Sequence, residues 1–259
     1  REHWTMDKDR IKEMAKNPDF IPGIYNYCDR WCERCAFTSR CMNFAMGQEF
    51  FQDQKNTDEM NAAFWDSISN IFEVTMSLLY DLAQERGVDL DAIREDQDEG
   101  HERAMQRARE HICTILAQRY REMAKEWLES SEIWTQEVAV KIPGVISAGE
   151  APGLQEAKEI ISWYLFLIEA KIVRALHGKA EEDECELESY GRDADGSAKV
   201  ALIGIDRSLA AWGVVHENVD RDREGVQDIL LCLERLRRKL ETVFPHARDF
   251  VRPGFDDGQ

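Results

Sequence analysis

The sequence predicts an all-α protein, a multi-helix bundle of about six to eight helices with a cysteine loop near its N-terminal end. The six prolines lie at positions 18, 22, 143, 152, 245 and 253, which leaves residues 23–142 and 153–244 free of the strongest helix breaker. Apolar residues recur at three-to-four spacing, which is typical of amphipathic helices. Strand-like alternation is confined to residues 138–146, where Pro143 interrupts it.

The predicted helices have recognisable boundaries. The clearest covers residues 56–86, which begins with a capping-box pair and ends before Gly87. A second covers residues 96–129. A third covers residues 154–177 and is closed by Gly178, and its apolar middle is too short to span a bilayer. The remaining predicted helices cover residues 7–16, 39–52, 197–215 and 221–243.

Composition along the chain suggests a division into parts. These are a cysteine-cluster segment with short helices, a helical bundle and a C-terminal tail, at residues 1–55, 56–243 and 244–259. Within the bundle, residues 142–153 hold two prolines and three glycines and predict a linker. Residues 181–195 carry eight acids against one base and predict a solvated loop. Asp195 or Ser197 is expected to cap the helix that follows.

The charge of the chain limits its expected partners. There are 51 acidic against 33 basic side chains, so the net charge is −18. This balance argues against a broad nucleic-acid surface or a surface for anionic membranes. Partners are therefore expected to be proteins, including a redox partner. No signal peptide or transmembrane segment is visible, and clustered cysteines are typical of metal sites in reducing compartments, so we expect a cytoplasmic protein.

The most informative segment carries four of the seven cysteines within fourteen residues. They have the spacing C-x3-C-x2-C-x5-C and are Cys28, Cys32, Cys35 and Cys41. Four thiolates match the ligand count of a 4Fe-4S cluster or of a structural zinc. On a continuous helix the first three would lie along roughly 10 Å, so a metal-bound state requires the chain to bend here. Gly23 upstream and Thr38 or Ser39 downstream favour a loop, with one of the latter capping the next helix.

The spacing favours a 4Fe-4S cluster over zinc. Structural zinc usually draws on two short ligand pairs separated by a dozen or more residues, whereas one compact loop can wrap a cluster. A thiolate-ligated cluster is anionic, and three arginines stand among the ligands, namely Arg30, Arg34 and Arg40. Four aromatic residues are candidates for shielding it from water, namely Tyr25, Tyr27, Trp31 and Phe37. A structural zinc in a protein-interaction module, a thiol redox switch and cysteines with no ligand role remain alternatives.

Parts of the motif resemble known cluster loops. Cys28, Cys32 and Cys35 match the C-x3-C-x2-C triplet of radical S-adenosylmethionine enzymes, although Arg34 stands where those enzymes have an aromatic residue and Cys41 could fill their open iron position. Cys32, Cys35 and Cys41 match C-x2-C-x5-C, which resembles the cluster loops of helix-hairpin-helix DNA glycosylases and Cas4-type nucleases. These resemblances imply cluster chemistry and not DNA repair. The chain as a whole resembles bacterial all-helical proteins that carry this motif, which implies no activity.

A second site in the bundle is a further hypothesis. Glu73 and Glu169 lie among apolar residues, and a buried carboxylate needs a partner. The Glu-x-x-His signature of di-iron bundles is absent. Glu73, Glu169, His111 and His177 could converge as a metal site, which would make the protein a metal-dependent enzyme. Alternatively, the carboxylates pair with arginines or lysines and the histidines pack at helix edges.

Three scattered thiols and one charged pair complete the predictions. Cys113 and Cys232 fall among apolar helix positions and are expected in the core. Cys185 lies in the acidic segment and is expected to be exposed. Asp206 and Arg207 lie on one helix and are expected to form an internal pair.

Overall fold

The computed structural model describes residues 8–50, 62–131, 153–184, 193–219 and 222–256. All regular secondary structure in these ranges is helical, which confirms the all-α prediction. Most of the predicted linker at 142–153 and of the acidic segment at 181–195 lies outside them, as does Cys185. The α-helices within the ranges are α1 (Lys8–Ala15), α2 (Met42–Phe50), α3 (Ala62–Glu85), α4 (Leu90–Glu110), α5 (Ile112–Ser130), α6 (Leu154–Glu184), α7 (Asp193–Asn218) and α8 (Arg223–Val243).

The end of α3 agrees with the sequence prediction. Gly87 adopts a φ of 66°, in the left-handed region that glycine enters without strain. The backbone N–H of Val88 donates to the carbonyl of Ala83 at 2.8 Å, which closes the end of the helix in the manner of a Schellman cap. The predicted start at residue 56 lies outside the described residues.

The single helix predicted over 96–129 is wrong, because the chain breaks at His111 and forms α4 and α5. His111 has an extended backbone, and its Nδ1 accepts the N–H of Cys113 at 3.1 Å. The hydroxyl of Thr114 donates to the carbonyl of Ala108 at 2.6 Å and ties the two helices together. Histidine is an uncommon N-cap residue, and the apolar spacing continues across the break, so the pattern does not reveal it.

Two predicted boundaries around α6 and α7 are also wrong. Helix α6 does not end before Gly178, because it continues to Glu184 through residues with high helix propensity, which offset the roughly 1 kcal/mol cost of an internal glycine. Helix α7 already includes Asp193, so neither Asp195 nor Ser197 is its N-cap. Ser197 is instead fully buried inside the helix.

The core of the bundle centres on the packing of α6 against α7. Gly204 allows this approach, because a Cβ there would lie 2.8 Å from Cδ1 of Tyr164 and 3.1 Å from Cγ1 of Ile168. Trp212 is fully buried and donates from Nε1 to the hydroxyl of Tyr120 at 3.3 Å. Cys113 and Cys232 are buried in the same core, which confirms their predicted role.

The predicted internal pair of Asp206 and Arg207 is wrong. Asp206 binds Arg248 at 2.6 Å and Arg237 at 3.5 Å, and Arg207 donates to the hydroxyl of Tyr164. Adjacent residues on a helix point in directions about 100° apart, so each reaches a different neighbour.

The chain divides into two compact units. The first comprises residues 1–100 together with 252–259, and the second comprises residues 101–251. The sequence-based division instead placed its boundaries after residues 55 and 243. In the first unit, Arg10 of α1 binds Glu49 of α2 at 2.6 Å. Among the described helices, none is both long enough and apolar enough to cross a membrane.

Candidate metal centre

The cysteine segment is a loop between α1 and α2, built from three short 3-10 turns at Ile24–Asn26, Cys32–Arg34 and Thr38–Arg40. The chain bends as the spacing argument requires. Backbone hydrogen bonds close two of the turns next to the cysteines, from Cys35 N–H to the Cys32 carbonyl at 3.2 Å and from Cys41 N–H to the Thr38 carbonyl at 3.3 Å.

Cys41 itself occupies the N-terminal position of α2. Its carbonyl accepts the first helical hydrogen bond, from the N–H of Ala45 at 3.0 Å. The prediction that Thr38 or Ser39 caps this helix is therefore wrong, since both belong to the preceding turn. This location places Cys41 at the positive end of the α2 dipole.

All four clustered cysteines line one pocket. About 320 Å³ of empty space lies in the pocket and in its open mouth. None of the four is in a disulfide, and each is half-buried. The arrangement brings together side chains that are up to thirteen positions apart in the sequence.

The electrostatics of Cys32 reflect this grouping. Burial raises the pKa of the Cys32 thiol, and the nearby Cys28, Cys35 and Cys41 raise it further, because a thiolate at Cys32 would be repelled by each of theirs. Glu33 adds to the same effect. Such mutual repulsion is relieved when a cation binds the sulfurs.

The four cysteine sulfur atoms are not grouped around a single point. Across the described residues, no three His, Cys, Asp or Glu side chains are grouped so as to hold a metal ion. Four thiolates on one zinc, at about 2.3 Å from the metal in a tetrahedron, would lie about 3.8 Å from one another. The pocket has the donor set of a four-cysteine site.

The pocket walls are mostly apolar and come from three parts of the chain. The apolar lining residues are Ile24, Tyr25, Trp31, Phe44 and Phe255, and Asp29, Arg30 and Thr38 also line the pocket. Tyr25 and Trp31 were predicted to shield the site, whereas Tyr27 and Phe37 do not line it. Phe37 instead packs edge-to-face against Phe255, with ring centroids 5.1 Å apart.

Two residues that line the pocket, Phe44 and Phe255, were not predicted from the sequence, and only Phe44 has a local sequence signal. Phe44 follows Cys41 by three positions, and helical spacing indicates that it shares the face of that cysteine. Phe255 lies at the far end of the chain, and no local pattern could have placed it here.

The three arginines have different positions. Arg30 lines the pocket and holds a φ of 59°, a left-handed conformation that is uncommon outside glycine. Arg34 stacks on the ring of Trp31, with its guanidinium carbon 4.1 Å from the centroid. Arg40 points elsewhere and donates from Nε to the carbonyl of Asp19 at 3.3 Å.

Comparison of this chain with protein-family models, curated proteins and solved structures finds no match.

The residues proposed for a second site have separate partners. Glu169 binds Arg121 and accepts from Gln118 at 3.0 Å, as expected for a carboxylate paired with an arginine. His111 caps α5. Nε2 of His177 is hydrogen-bonded to Nδ1 of His101 at 3.1 Å.

The fourth residue of that set, Glu73, is exposed on α3, in the unit that does not contain the other three. Its location next to apolar residues in the sequence does not translate into burial, because neighbouring helix positions face different ways. Glu169, His111 and His177 therefore each have a different hydrogen-bond partner within the second unit.

Proposed function

We propose that this chain is an iron–sulfur protein in which the four clustered cysteines hold a 4Fe-4S cluster in a structural or electron-transfer role. The observation that carries the proposal is the convergence of these thiols on one apolar-walled pocket. The proposed ligands are Cys28, Cys32, Cys35 and Cys41. In an electron-transfer role the cluster would exchange electrons with a redox partner protein.

The number of thiols suits the proposed group. A 4Fe-4S cluster takes one thiolate on each iron. All four thiols line the same pocket, which would supply one to each iron. The spacing also lacks the two distant ligand pairs of common structural zinc sites.

The dipoles around the pocket suit an anionic group, whereas its charged lining residues, Arg30 and Asp29, have opposite signs. The backbone N–H of Phe37 donates to Sγ of Cys35 at 3.4 Å, and hydrogen bonds to sulfur are among the features that set the potential of a cluster. The N-terminus of α2 at Cys41 adds a further favourable dipole. A cytoplasmic location is consistent with thiols that must stay reduced to bind iron.

The test is metal and sulfide analysis of protein purified without oxygen. We expect a brown protein with about four irons and four acid-labile sulfides per chain. Cys32→Ser removes one ligand and should lower both contents. Cys232→Ala is the matched control, because this thiol is buried in the second unit and should leave both contents unchanged. A colourless protein with one zinc would establish the zinc alternative, and equal iron in Cys32→Ser and wild type would contradict the ligand assignment.

A further inference from the structure

The C-terminal segment Arg252–Asp256 contributes to the cysteine pocket. Phe255 lines the pocket together with the four thiols. Its ring packs edge-to-face on Phe37, which does not line the pocket, at an interplanar angle of 76°. A residue near the end of the chain thus completes a wall that the cysteine loop does not close by itself.

Interactions within the segment hold Phe255 in place. The guanidinium of Arg252 binds both carboxylate oxygens of Asp256, at 3.1 and 2.9 Å, and both side chains are largely buried. The same guanidinium lies 4.8 Å from the centroid of the Phe255 ring. The backbone N–H groups of Phe255 and Asp256 both donate to the Arg252 carbonyl at 3.1 Å.

Gly254 allows the segment to pack closely against Ile21 and Ile24. Gly254 has a φ of 76°, and a Cβ there would lie 2.8 Å from Cδ1 of Ile21 and 3.1 Å from Cδ1 of Ile24. Ile24 is 1% exposed and also lines the pocket. The contact between the two ends of the chain is therefore close and specific to glycine.

We propose that Arg252–Asp256 is part of the metal site, with Phe255 as the wall that keeps water and dissolved oxidants away from the four sulfurs. The nature of the protected metal group rests on the proposed function, whereas the shielding of the thiols does not. Oxidation of a thiol depends on its exposure, and the apolar shell of a metal centre controls solvent access and potential. Phe255 is in this sense a positioning and shielding residue.

The first experiment measures shielding without any metal. The reduced, metal-free full-length chain is alkylated with iodoacetamide, and the rate at each cysteine is followed by mass spectrometry. Phe255→Ala should raise the rates at the four clustered cysteines about tenfold, equivalent to about 1.4 kcal/mol in the opening of the segment. Phe255→Leu keeps an apolar wall and should restore most of the shielding. Phe166→Ala, at a 61% exposed ring in the second unit, is the matched control and should change nothing.

Two results would overturn the proposal. One is an unchanged alkylation rate at all four cysteines in Phe255→Ala. The other is an equal rise at the buried Cys113 and Cys232, which would report general loss of fold and not removal of a wall.

The second experiment follows the visible absorbance of the oxygen-free purified protein after exposure to air. The half-life should fall about tenfold in Phe255→Ala and remain close to that of wild type in Phe166→Ala. If wild type holds no cluster, the proposed function fails and the alkylation rates alone decide the shielding. If a cluster is present and its half-life is the same in Phe255→Ala and wild type, the shielding role fails and the proposed function stands.

Discussion

Replacing Gly254 with alanine tests whether the close contact of this residue with Ile21 and Ile24 holds the C-terminal segment in place. Placing a non-glycine residue in the left-handed conformation costs about 1–2 kcal/mol. The new Cβ would also lie 2.8 Å from Cδ1 of Ile21 and 3.1 Å from Cδ1 of Ile24. Because these atoms are the ends of isoleucine side chains, rotation of the side chains relieves part of the overlap. The free-energy cost of the overlap is therefore about 1 kcal/mol, at the lower end of the range for overpacking.

The two contributions sum to about 2–3 kcal/mol, which corresponds to an increase of about 30- to 150-fold in the opening equilibrium of the segment. Native-state hydrogen exchange of the C-terminal peptide measures this equilibrium. The informative amides are those of Phe255 and Asp256, which donate to the Arg252 carbonyl.

The matched control is Gly47→Ala in α2. No neighbouring atom lies within 4 Å of a Cβ at Gly47, and its backbone is helical, so alanine should be neutral or stabilising by up to about 1 kcal/mol. Unchanged amide protection in Gly254→Ala would refute the reasoning, because neither the strain nor the contact would then hold the segment in place.

Two further predictions concern the rest of the fold. Gly204→Ala places a Cβ 2.8 Å from Cδ1 of Tyr164 and should lower the free energy of unfolding by about 1–3 kcal/mol in urea titrations, whereas Gly213→Ala in the same helix has open space and should not. The hydrogen bonds from Arg10 lower the pKa of Glu49, so the stability they add is fully present above about pH 4.5 and is lost as the pH falls through the lowered value. Urea titrations of wild type between pH 7 and 3 should show this loss, and Glu49→Gln should lack it; equal pH dependence in both proteins would contradict the assignment.

The fold class was predictable because its signals are local. Proline confined to a few positions and apolar residues at helical spacing already require helices, and Gly87 marks an end by its own conformational preference. The break at His111 was not predictable, because an imidazole acting as a cap leaves the apolar spacing intact. The helix end predicted at Gly178 was wrong because strong helix formers follow this glycine and extend α6.

The candidate site, like the fold, was predictable only where its signals are local in the sequence. The four proposed ligands and the bend between them were predictable from spacing and helix geometry, which involve only neighbouring residues. The wall formed by Phe255 depends on a contact between the two ends of the chain, and the separate partners of Asp206 and Glu169 depend on how distant helices meet. Such contacts are set by packing and leave no periodic trace in the sequence.

Native mass spectrometry of the protein purified without oxygen tests the central claim most directly, because it weighs the bound group on the intact chain. We expect a mass increment of four irons and four sulfides on wild type, its loss in Cys32→Ser and its retention in Cys232→Ala. A wild-type chain that carries a single zinc, or no metal at all, would contradict the iron–sulfur assignment.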